Sequence, residues 1–125
     1  NVLFRKGTDF SVLDRSRGEW GDPADDVTSM TINYLFWSLC RHGRLAGAFE
    51  VLFRLFWDTY LELSEDKDLT AAAAPFFAFR GLVIASPVWY PKLPMDVRRS
   101  LFCFMENVLH DSRFDPMRVN EYCGL

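Results

Sequence analysis

The sequence lacks the features that several broad classes of protein need. Its net charge is −3, and no basic patch stands out, so there is no electrostatic case for a nucleic-acid partner. Its three cysteines, Cys40, Cys103 and Cys123, are odd in number, scattered, and without histidine ligands nearby. That pattern argues against a disulfide framework and against a zinc site, and reduced cytoplasmic thiols are expected. The two histidines, His42 and His110, both fall at predicted helix ends, where a dipole or capping role outweighs catalysis. No signal peptide is visible. The most apolar stretch, residues 71–91, contains Pro75, Pro87, Pro91 and a central Arg80. The arginine costs about 2.5–3.5 kcal/mol on membrane insertion, and the prolines shorten the helix, so a buried helix in a soluble domain is expected. Internal repeats and low-complexity tracts are also missing.

Apolar and aromatic residues, by contrast, are plentiful. Half of the 125 residues are hydrophobic, and there are twelve Phe and four Trp. That is enough for a packed core with aromatic surface left over, as in a lobe that packs against something more.

Two β-prone runs, Val2-Leu3-Phe4-Arg5 and Phe10-Ser11-Val12-Leu13, flank the turn residues Lys6-Gly7-Thr8-Asp9. They predict a hairpin, which brings its two ends, Asn1 and Asp14, side by side. Helices follow. Asp22-Pro23 is an N-cap followed by the favoured first position, Asp25 and Asp26 complement the dipole, and Gly43 is a stop, so a helix is expected over 23–42. A second helix is expected over about 45–63, with Phe49, Leu52, Phe53, Phe56, Tyr60 and Leu63 as its apolar stripe. Ser64-Glu65-Asp66-Lys67-Asp68 reads as a solvated acidic loop. A third helix is expected over about 70–85, kinked or started by Pro75, and a fourth over about 94–110 with Val97, Leu101, Phe104, Met105 and Leu109 inward. Phe114-Asp115-Pro116 introduces a last short helix to about Tyr122. The fold class is therefore mainly α with a short N-terminal β-hairpin.

One stretch carries chemistry. Asp14 ends the second strand, a loop with Gly18 and Gly21 follows, and Gly21-Asp22-Pro23-Ala24-Asp25-Asp26 begins seven residues after Asp14. With Asn1 opening the first strand, this pattern resembles the aminoglycoside phosphotransferase family, the kinase-like enzymes that include choline and homoserine kinases. The motif is specific over residues 1–27, and beyond them only the helical pattern is shared. The family often carries Trp after the metal-binding Asp, where this chain has Arg15; that alters the loop and spares the metal position.

The resemblance implies a C-terminal part of a kinase-like lobe, with residues 1–14 as a metal-site hairpin and 15–125 as a helical subdomain. Asn1 and Asp14 would hold Mg²⁺ on the phosphates of ATP, since amide and carboxylate oxygens are hard ligands. Asp26 would brace the catalytic loop through backbone hydrogen bonds. The catalytic Asp is expected shortly upstream of Asn1, and the Gly-rich loop and the phosphate-binding Lys are not in this chain, so the chain alone is expected to be inactive. Its implied partners are ATP, a small hydroxylated substrate and the remainder of the kinase-like chain.

Asp58 beside Trp57, together with Tyr60 and Arg80, could receive the acceptor, a carboxylate beside an aromatic suiting a cationic one. The alternative places Trp57 and Tyr60 in the core, Asp58 in solvent, and Arg80 against an internal carboxylate. Two other functions stay open: a pseudoenzyme or binding module on the same fold, and a free-standing helical interaction domain.

Overall fold

The computed structural model describes residues 2–13 and 20–125, and these form a two-stranded hairpin followed by a helical bundle. Strands β1 (Val2–Phe4) and β2 (Phe10–Val12) are antiparallel, with Val2 opposite Val12 and Phe4 opposite Phe10. Gly7 turns the chain at φ +75°, a conformation that costs glycine nothing. Among the described residues the hairpin packs on no helix, and Leu3, Phe4, Phe10 and Val12 stay exposed.

Helix α1 (Pro23–His42) begins and ends where its caps dictate. The Ala24 N–H donates to the Asp22 carboxylate at 2.9 Å, and Gly43 closes the helix at φ +70° with its N–H on the Leu39 carbonyl. Its buried stripe, including Val27, Ile32, Leu35 and Leu39, packs on all three of the other long helices. Helix α2 (Gly47–Ser64) follows a tight loop that α1 itself holds. The buried Ser38 hydroxyl donates to the Arg44 carbonyl at 2.7 Å and accepts the Ala46 N–H at 3.0 Å.

Helix α3 (Leu69–Ala85) runs unbroken through Pro75. Pro75 and Ala71, the residue four before it, are both exposed, so the carbonyl that loses its helical partner faces water. Asp66 is no bystander in a solvated loop: its carboxylate accepts the N–H groups of Asp68 and Leu69 and thereby caps α3. Gly81 lets α4 (Met95–His110) approach closely, since a Cβ there would stand 2.6 Å from the Met105 sulfur. On α4 the inward residue near the end is Val108. Leu109, expected inside, is exposed, because α4 turns its Val97-Leu101-Phe104-Met105-Val108 face to the core. The chain closes with a 3₁₀ turn (Pro116–Arg118) and α5 (Val119–Tyr122), introduced by the Asp115 carboxylate on the Met117 N–H. Among the described residues no helix is long and apolar enough to cross a membrane.

The core is aromatic. Phe114 lies 4.7 Å from Phe77, 5.1 Å from Trp57 and 5.6 Å from Tyr122, and Phe77 meets Phe104 edge-on at 5.2 Å. One loop residue thus joins α2, α3, α4 and α5. Phe114→Ala should lower unfolding free energy by about 3–5 kcal/mol, read in urea titrations. A loss under about 1 kcal/mol would show that the site collapses around the gap.

Cys123 is buried beside Cys103. Burial first, and the neighbouring thiol second, push its pKa up from 9.0 to about 12. The unfolded chain ionises this thiol near pH 9 while the folded chain keeps it protonated. Its contribution is therefore complete below pH 9 and is lost as pH rises toward 12. Urea titrations of wild type and Cys123→Ala across that range should show a steeper alkaline loss in wild type.

Candidate functional site

The N-terminal end of α1 is where the sequence motif meets the fold. Asp22 is committed to the N-cap. Asp25, one turn in, faces α3, and Arg80 reaches it with both Nη2 (2.7 Å) and Nε (3.2 Å) on Oδ1. The pair is partly shielded, with the arginine side chain 17% and the aspartate 34% exposed. The Arg80 guanidinium also lies 5.5 Å from the Phe79 ring centre. Asp26 is exposed, and among the described residues no group hydrogen-bonds its carboxylate. Asn1 and Asp14, the expected metal ligands, lie outside the described residues. Among the described residues no three His, Cys, Asp or Glu side chains cluster as a metal site would require.

The expected acceptor residues are dispersed. Trp57 is fully buried between Phe53, Phe77 and Phe114, so it is a core residue and meets no ligand at the surface. Its indole N–H has no partner among the described residues. Asp58 is exposed: successive helix positions point about 100° apart, so a carboxylate next to an inward Trp cannot share a box with it. The pairing of Asp58 with Trp57 around a cation is thereby corrected. Arg80 has the internal carboxylate of the alternative reading, Asp25. Only Tyr60 faces a concavity, half-buried and stacked with Phe56 at 6.1 Å.

That concavity is a groove of about 520 Å³ between α1 and α2. Tyr34 of α1 closes one side, and Leu52, Leu55, Phe56, Tyr60 and Leu63 of α2 form the other. Tyr34 and Leu55 were not singled out from sequence. Their signal was an excess: α2 carries more apolar residues than one core face can bury, and of its expected stripe only Phe53 is fully inside. A smaller cleft of about 230 Å³ lies by Asp111, Arg118 and Tyr122. Its polar groups already serve one another, with Arg118 bridging Asp111 and Glu121, and Tyr122 donating to Asp111 at 2.7 Å.

Arg80→Met should strand Asp25 against an apolar helix and cost about 1–2 kcal/mol, kept modest by partial solvent exposure. Adding Asp25→Asn should recover part of that loss in a double-mutant cycle. Additive losses would mean that the pair is a surface contact without coupling. In comparisons with known proteins, no protein-family model, no curated protein and no solved structure matches the chain.

Proposed function

We propose that this chain is the C-terminal part of an ATP-dependent small-molecule phosphotransferase, which moves the γ-phosphate of ATP to a substrate hydroxyl in the cytoplasm. The observation that carries the reading is the spacing from Asn1 through Asp14 to Gly21-Asp22-Pro23-Ala24-Asp25-Asp26. Two features of the described residues support it. The hairpin register leads both strands to one end, the end at which residues 1 and 14 are bonded to Val2 and Leu13. Asp22-Pro23 caps α1 as the motif requires, and Arg80 fixes that helix start against α3 through Asp25.

The donor set suits magnesium: one carboxylate and one amide carbonyl, both hard oxygens. Asn1 and Asp14 would hold the ion, and the chemistry it would supply when bound is charge compensation on the phosphates of ATP. Asp14 would supply the charged ligand and Asn1 the neutral one. Asp26, unpaired among the described residues, is free to accept backbone hydrogen bonds from a catalytic loop preceding Asn1, where the proton-accepting Asp would lie. The exposed apolar faces of the hairpin and the 93% exposed Trp20 suit docking against the remainder of such a lobe.

In the full-length enzyme, Asp14→Asn should abolish turnover and leave the melting temperature nearly unchanged, because a carboxylate facing a metal contributes little to the metal-free fold. Asp26→Asn should lower stability by about 1.5–3 kcal/mol, and activity with it, through the loss of a charged acceptor. A destabilised Asp14→Asn protein beside a stable, active Asp26→Asn protein would reverse the two roles. Calorimetry on residues 1–125 alone should show weak or no binding of Mg²⁺-ATP, and micromolar affinity would mean that the nucleotide site lies elsewhere.

A further inference from the structure

The groove between α1 and α2 is not explained by the phosphotransferase motif. Around α2, three stripes divide the surface. Phe53 and Trp57 face the core; Arg54, Asp58 and Glu62 recur every four residues on the solvent side. Between them runs the apolar stripe that lines the groove.

We propose that this groove is a binding site for a neutral, ring-containing small molecule bearing a hydroxyl group, an aromatic or alicyclic alcohol. Its volume of about 520 Å³ falls within the range of small-molecule sites. Its wall is aromatic and aliphatic: the Phe56 and Tyr60 rings stack 13° from parallel with centroids 6.1 Å apart, and an apolar ring seated against them gains dispersion contact. Leu55 and Leu63 extend that wall.

Charge selects the ligand further. Of the residues lining the groove, none carries a charge at neutral pH. Burial raises the pKa of the Tyr34 hydroxyl, so it stays protonated. An ammonium or a phosphate entering here would lose water and meet no opposite charge. A hydroxyl would be well served, because Tyr34, Thr59, Tyr60 and Ser64 bring their own hydroxyls to the lining. Among the described residues, those of Tyr34, Thr59 and Tyr60 make no hydrogen bond.

The site stands on this lining alone and goes beyond the phosphotransferase reading, which asks of the acceptor only that it carry a hydroxyl. The test uses 2-naphthol as the probe, titrated into the 125-residue chain by calorimetry and saturation-transfer NMR. Saturable binding is expected, weakened about tenfold or more by Tyr60→Ala and by Leu55→Asp. Leu55 is exposed, so its variant should keep the wild-type melting temperature even if Tyr60→Ala does not. The anionic 2-naphthalenesulfonate and a cationic naphthylmethylammonium should bind more weakly than the alcohol. The proposal is overturned if no saturable binding occurs, if the variants bind as wild type does, or if the charged analogues bind equally well. Self-association that Leu55→Asp abolishes, with no naphthol binding, would assign the groove to a second copy instead. ATP turnover is not part of the readout, so failure here leaves the phosphoryl-transfer proposal untouched, and the reverse holds.

Discussion

Four helices of the body converge on the buried Phe114. It sits in a loop after α4, yet it contacts rings from α2, α3, α4 and α5, and its own N–H donates to the Thr70 carbonyl at 2.8 Å. A loop residue placed this way locks the returning chain under the bundle. Aromatic pairs add about 0.5–1.5 kcal/mol each beyond the area they bury, so the cluster both fills volume and fixes orientation. The chain end is then held by polar contacts. Asn120 binds the Leu45 backbone through both its carbonyl and its amide, and Tyr122 accepts the Asp115 N–H while donating to Asp111. These bonds tie the last turn to the α1–α2 loop, 75 residues earlier.

Helix α1 then has two separate tasks. Its middle is core, packed on α2, α3 and α4. Its first turn is polar and points its two aspartates differently. Asp25 is drawn to Arg80, while Asp26 stays in solvent. A helix start anchored from one side presents its other side at a defined angle. That is the requirement for any group that must meet a neighbouring loop, and the Arg80–Asp25 pair meets it without using Asp26.

Much of this was legible in the sequence because local chemistry decided it. Asp22-Pro23, Gly43 and Asp115-Pro116 act through their own backbone and side chains, so the bounds of α1 and the start of the last turn follow from residue type. The hairpin followed from Gly7 between two β-prone runs. What escaped depended on distant partners. Val108 and Leu109 are both apolar, and Val108 is the one that lies on the face α4 turns to its neighbours α3, α1 and α5. Asp66 looked like one charge among several until α3 began beside it. The identity of Arg80's carboxylate, 55 residues away, required the bundle. The proposed metal-binding role of Asn1 and Asp14 rests on the motif alone, and the described residues supply only the strands to which they attach.

The residues expected at an acceptor site illustrate the same limit from the other side. Trp57, Asp58 and Tyr60 look like a cluster on paper because they are adjacent in sequence. On a helix, adjacency separates: Trp57 goes to the core, Asp58 to the charged stripe, and Tyr60 to the groove. Residues at i and i+4 meet instead, which is why Phe56 and Tyr60 stack and why the apolar surface of α2 splits into two faces. The core takes one face, and the bundle covers the other only along the edge formed by Tyr34. An uncharged concavity survives there because the core is already complete without it.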